Sequence, residues 1–149
     1  METLVVYDSV YGNTEKIARA IASAAGGEAI AFRSGGVNIS ELKSVDLLIV
    51  GAPTYGGRPT PAVLEFLNKL TEADIKDKAV AAFDTRLRAK WVMIFGYAAA
   101  RINATLKARG ANPVVAPEGF FVKGTKGPLK DGEIERAEAW GKEIIKNKK

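Results

Sequence analysis

Apolar residues along the chain fall into short blocks separated by longer stretches with helical spacing, and the two alternate from end to end. Residues 3–8 are rich in Leu and Val with little alternation, as a strand buried on both faces should be. A helix follows from about Glu15, with Ile17, Ile21, Ala24 and Ala25 on one stripe, Lys16 and Arg19 off it, and Gly26 and Gly27 ending it. A second strand, about 28–33, leads to the turn Ser34, Gly35, Gly36 and a short helical piece around 40–43.

The clearest strand is the third, residues 46–52. Thr60 then caps a helix with Pro61 at its first position, and Val63, Leu64, Leu67 and Leu70 form its expected buried stripe. Strand four spans 79–83. Residues 91–109 are mostly helical, with Phe95, Ala99, Ile102 and Leu106 in phase and Gly110 closing the segment. Strand five is split, near 113–116 and 119–122. A last helix begins near Asp131, acidic at its start and lysine-rich at its end, with Ile134, Ala137, Trp140 and Ile144 facing inward and Trp140 in the core. The order βαβαβαβαβα over one domain, 1–149, implies an α/β fold: a parallel sheet with helices on both faces and right-handed crossovers.

Composition removes whole classes of chemistry. With no Cys and no His among 149 residues, disulfides, thiol nucleophiles, imidazole acid–base work and nearly every transition-metal site are excluded. Redox chemistry would need a bound organic cofactor. No side chain qualifies as a general acid or base, so no catalytic residue is assigned. An apolar content of 47% supports a packed globule, and the absence of a long apolar run or a signal-peptide pattern leads us to expect a soluble, cytoplasmic protein with no membrane partner. The net charge is +5, but the bases are scattered apart from the tail and the cluster Arg86, Arg88 and Lys90, so no nucleic-acid partner is expected.

Candidate chemistry lies in the loops. Ser9, Val10, Tyr11, Gly12, Asn13 and Thr14 join the first strand to the first helix. A strand breaking into a Gly-centred, hydroxyl-bearing loop before a helix gathers free N–H groups and a positive dipole end at one point, which suits a phosphate. There is no Lys after the Gly, as a P-loop requires, and Gly12 stands alone where a dinucleotide fingerprint has three glycines. A monophosphate held by neutral donors fits better than a triphosphate with magnesium. The loops after strand three (Pro53, Thr54, Tyr55, Gly56, Gly57) and strand four (Asp84, Thr85, Arg86) emerge on the same sheet edge, where such folds bind ligands. Gly51 and Ala52 end strand three where a response-regulator receiver needs an acidic residue.

Together these loops resemble those of the flavodoxin family. The first loop is similar to its phosphate loop, the second to its first isoalloxazine loop, and Asp84, Thr85 and Arg86 stand at its second. The resemblance implies a doubly wound five-stranded sheet of order 2-1-3-4-5 and the cofactor flavin mononucleotide (FMN). It implies an electron carrier that cycles the flavin between oxidised, semiquinone and hydroquinone states and passes electrons to redox partner proteins. By that resemblance Ser9, Asn13, Thr14 and the loop N–H groups hold the phosphate, and Tyr55 stacks on the flavin. Gly56 turns its peptide towards the flavin as N5 becomes a donor, at little steric cost. Tyr11 replaces the family's small hydroxyl residue, and we read it as lending its N–H while its ring packs outside. Asp8 reads as a strand-end cap. Trp91 is an outer flavin stacker, a partner contact or helix core.

The chain departs from that family in charge. Gly57 and Arg58 stand at acidic positions, Arg86, Arg88 and Lys90 follow on the neighbouring loop, and residues 84–90 hold no aromatic to stack as the second ring. Positive surroundings should make the second reduction step less negative than in acidic relatives. The partner should carry an acidic patch. Two alternatives stand beside the carrier: an FMN-dependent NAD(P)H quinone or nitro reductase, and a flavodoxin-like interaction module that has lost flavin.

Overall fold

A computed structural model describes residues 2–87 and 97–148. Strands β1 (Glu2–Tyr7), β2 (Ile30–Arg33), β3 (Val45–Pro53), β4 (Ala79–Leu87), β5 (Asn112–Pro113) and β6 (Glu118–Val122) alternate with helices. The helices are α1 (Asn13–Ala25), α2 (Pro61–Lys69), the single turn α3 (Glu72–Ile75), α4 (Ala98–Ala108) and α5 (Glu133–Asn147). All pairings between these strands are parallel, in the order β2-β1-β3-β4-β5, and β6 extends the fifth position by pairing with β4. The split fifth strand is therefore as expected. No helix among the described residues is long and apolar enough to cross a membrane.

The central strands read as continuous apolar runs because each supplies a core on both faces, residue by residue. Val6, Leu48, Val50, Val80 and Ala82 point to the face covered by α2, α3 and α4. Their neighbours Val5, Tyr7, Leu47, Ile49, Ala81 and Phe83 point to the face covered by α1 and α5. On that second face Phe83, Phe120 and Trp140 meet edge to face, with centroids 5.9–6.2 Å apart. Trp140 is thus core, and Gly141 lets α5 approach α1 so closely that a Cβ there would lie 3.0 Å from the Ile21 carbonyl.

Several expectations need adjustment. The buried stripe of α2 is Val63, Phe66 and Leu67, continued by Leu70, whereas Leu64 is exposed. Positions i, i+3, i+4 and i+7 share a helix face, and Leu64 lies off it. Thr60 holds the N-cap position before Pro61, but its buried hydroxyl makes no hydrogen bond among the described residues. Ala99, Ile102 and Leu106 are buried on α4 as expected, while Arg88, Lys90, Trp91 and Phe95 lie outside the described residues.

Candidate functional site

The carboxyl ends of β1, β3 and β4 open into a cavity of about 230 Å³. Ser9, Val10, Tyr11, Asn13 and Thr14 line one end, and Pro53, Thr54, Tyr55, Gly56 and Gly57 line another. Thr85, Arg86 and Leu87 come from the end of β4, and Val122 and Thr125 from beyond β6. Among the described residues, no carboxylate lines this cavity.

The first end is built by the entry into α1. Gly12 has φ +92°, a backbone conformation that only glycine adopts cheaply, and the space around it is open, so the demand is conformational rather than steric. The Gly12 N–H donates to the Ser9 hydroxyl at 3.0 Å, which closes the loop. Lys16 makes the first helical bond, to the Gly12 carbonyl at 3.1 Å. The N–H groups of Asn13, Thr14 and Glu15 therefore precede any intrahelical acceptor and stay available at the positive dipole end.

Two side chains expected to face a phosphate are partly committed elsewhere. Asn13 Nδ2 donates to the Lys126 carbonyl at 3.2 Å, and the Thr14 and Thr85 hydroxyls hydrogen-bond at 2.7 Å. Glu15, an acid in the first helical turn, lines the neighbouring cleft instead. Its hydrogen bonds to Arg19 hold its carboxyl below the ordinary value, and Arg33 approaches it at 3.4 Å. Asp8 faces Arg33 at 3.6 Å and is not part of the cavity wall. The Tyr11 ring stands half-exposed at the cavity rim.

The turn after β3 is a two-residue hairpin. Tyr55 N–H donates to the Arg58 carbonyl at 2.9 Å, Arg58 N–H donates back at 3.0 Å, and Gly56 and Gly57 have φ +56° and +78°. Positive φ at both central residues matches the type I′ turn, for which a Gly pair is suited. The turn is fastened at its base and tip. Thr54 N–H donates to Thr85 at 2.9 Å, Ala98 N–H donates to the Thr54 hydroxyl at 3.1 Å, and Arg101 Nε donates to the Gly57 carbonyl at 2.8 Å. Tyr55 presents a half-exposed ring, and burial raises its phenol above the ordinary value, so it stays neutral.

Asp84, Thr85 and Arg86 are strand, not loop: β4 continues to Leu87 because β3 and β6 pair with it on both sides. Asp84 lies outside the cavity wall, fully buried, and accepts from Arg86 Nε and Nη2 at 2.7 Å each and from the Ala99 N–H at 2.9 Å. Burial pushes its carboxyl up, and Arg86 opposes that. Arg86 lines the cavity, but its guanidinium is met by Asp84 and stacks over Tyr97 at 3.4 Å. Arg86 therefore does not deliver the uncompensated positive charge expected of it. Gly119 leaves room for it, since a Cβ there would lie 2.2 Å from the guanidinium.

A fourth loop went unrecognised in the sequence. Val122 bridges Leu129, Lys123 N–H donates to Pro128 at 2.8 Å, and Gly127 N–H donates to Gly124 at 2.9 Å. The result is a narrow hairpin with Thr125 and Lys126 at its tip, resting on the first loop through Asn13. Gly124 and Gly127, following a strand end on the same sheet edge, are the signal that could have found it.

The molecule is thus an α/β protein with a doubly wound parallel sheet and a cavity at its carboxyl edge, with a helix N-terminus at one end of the cavity and an aromatic–Gly-Gly turn at the other. The Flavodoxin domain family model matches residues 4–112. The chain is 29% identical over 157 aligned residues to a flavodoxin of Haemophilus influenzae, covering 93% of this chain and 90% of that one. Among solved structures it is similar to a flavodoxin from the domain Archaea (TM-score 0.81, 21% identity, 99% of each chain). It is likewise similar to Flavodoxin 2 from Bacillus cereus (TM-score 0.81, 23% identity, 100% of each chain). This chain belongs to the flavodoxin family.

Proposed function

We propose that the protein is an FMN-binding electron carrier. The observation that carries the reading is the pairing, in one cavity, of a helix N-terminus with a Tyr–Gly–Gly turn that exposes Tyr55 and Gly56. The residues present fit the cofactor. Ser9, Thr14 and the first-turn N–H groups of α1 offer neutral donors for a phosphate, and among the described residues no carboxylate in the cavity wall opposes it. The wall near Tyr55, Val122 and Leu87 is suited to a planar apolar ring. FMN, when bound, supplies one- and two-electron transfer.

The chain's own residues bind, orient and shield. Tyr55 covers a ring face and excludes water from it. The Gly56 carbonyl has no protein partner among the described residues, so the Gly56–Gly57 peptide can turn to accept or release a proton-bearing donor. The redox partner carries an acidic docking patch complementary to the exposed Arg58 and Lys126, and the carrier works in the cytoplasm.

Fluorescence titration of FMN with the apoprotein, with riboflavin as control, tests this. Quenching with tight binding of FMN and much weaker binding of riboflavin is expected. Equal affinities would remove the phosphate role from Ser9–Thr14, and no binding of either would overturn the reading.

A further inference from the structure

We propose that the hairpin tip after β6 is a ligand-binding element and that Lys126 supplies the positive charge the phosphate loop lacks. This rests on the FMN reading above. The loop from Ser9 to Thr14 has no cationic side chain of its own. Neutral donors and a helix dipole would then face a doubly charged phosphate without a counter-ion, unless another part of the chain provides one.

Lys126 is placed to do so. Its carbonyl accepts from the Asn13 side chain at the first residue of α1, 3.2 Å away, so its backbone is anchored beside the helix N-terminus. Gly127, φ +106°, packs so tightly on Asn13 that a Cβ there would lie 2.7 Å from the side-chain amide. The anchorage is therefore a fitted contact, not a chance approach of two loops. From it the Lys126 ammonium reaches to 6.0 Å from the centroid of the Tyr11 ring, inside the phosphate loop itself. That distance is at the outer limit for a cation–π contact, so the ring holds the ammonium only weakly.

Several of the other cations near the loop are already answered, while Lys16 on α1 and Arg58 form no ion pair among the described residues. Arg33 donates to the Ser9 carbonyl at 3.0 Å and faces Asp8 and Glu15. Arg19 is paired with Glu15, Arg86 with Asp84, and Lys123 with Asp131. Lys126 forms no ion pair among the described residues, and it is exposed. An unanswered cation on a fixed backbone at an anion site raises affinity for a charged ligand over its neutral counterpart. Tyr11 and Thr125 of the hairpin tip both line the cavity.

The test compares wild-type apoprotein with Lys126→Met, which keeps the apolar stem and removes the charge. FMN and riboflavin are titrated into each at low and high salt. The Met variant should bind FMN about tenfold more weakly at low salt, the size of one charge-assisted contact. Its riboflavin affinity should be unchanged, and FMN binding should weaken less steeply with salt than in the wild type. Lys126→Arg should restore most of the loss. FMN affinity and salt slope unchanged in Lys126→Met overturn the proposal while leaving the flavin reading intact. If the wild type binds no FMN, that reading falls. The same two proteins titrated with inorganic phosphate, followed at the Gly12, Asn13 and Thr14 amides, then decide on Lys126, and equal phosphate affinities overturn its role.

Discussion

Arg101 Nε donates to the Gly57 carbonyl at 2.8 Å, tying α4 to the tip of the turn after β3. Gly57 is buried while Gly56 is exposed, so the bond holds one carbonyl of the Gly pair and leaves the other free. Arg101→Ala strands a buried acceptor, which costs about 1–2 kcal/mol of stability. Urea denaturation should show the lower midpoint, and hydrogen exchange should quicken at the Gly57 and Arg58 amides. Arg101→Lys should recover only part, because an ammonium lacks the fixed planar fork. An unchanged midpoint with unchanged exchange would reduce the contact to a passive one.

Gly51 and Phe83 are register partners on β3 and β4, and a Cβ at Gly51 would lie 2.1 Å from the Phe83 ring. Phe83 is fully buried and held by Phe120 and Trp140, so it has nowhere to move. Gly51→Ala should cost about 3 kcal/mol through overpacking. The pair Gly51→Ala with Phe83→Leu should lose less than the sum of the single changes, a coupling that a double-mutant cycle measures directly. Additive losses would mean that the ring is not what the glycine makes room for.

Glu133 opens α5 and is almost fully buried, accepting from the Phe121 N–H at 2.7 Å and from Arg136 Nε and Nη2 at 3.0 and 2.7 Å. Burial works to raise its carboxyl, but Arg136 and the Phe121 N–H outweigh it and hold it below the ordinary carboxylate value. A depressed carboxylate contributes stability above its unfolded value and loses it as pH falls through the folded one. Glu133→Gln should therefore be less stable than the wild type at pH 7. The gap should close as pH drops below 4.5. Thermal melts of both proteins at a series of pH values check the sign; a gap that widens in acid would contradict it.

Arg58 and Lys126 stand exposed beside the cavity and form no ion pair among the described residues. If they guide an acidic partner, electron transfer to an acidic redox protein should slow as ionic strength rises past the point where the screening length falls below about 8 Å. Arg58→Glu should slow transfer at low salt about tenfold and have little effect at high salt. A stopped-flow rate indifferent to salt would remove the acidic-partner expectation.

Much of the molecule was legible locally. Short continuous apolar runs named the strands and period-3.6 patterning the helices, because a strand covered on both faces is apolar throughout and side chains recur along a helix face. Ser9–Thr14 and the Tyr55–Gly56–Gly57 turn were equally legible, since positive φ and a helix N-terminus are properties of a few consecutive residues. Other features depend on partners far away in sequence. Asp84 to Arg86 became strand only because β3 and β6 pair with both sides of β4, and Asp84 turned from cavity candidate into the buried partner of Arg86. Asn13 meets Lys126 across 113 positions, and nothing in either segment announces the other. The sequence alone thus determined the element order and which loops gather at the sheet edge. Tertiary structure alone decided which charges remain uncompensated at the cavity, because compensation depends on distance in space, and Coulomb energy takes no account of chain separation.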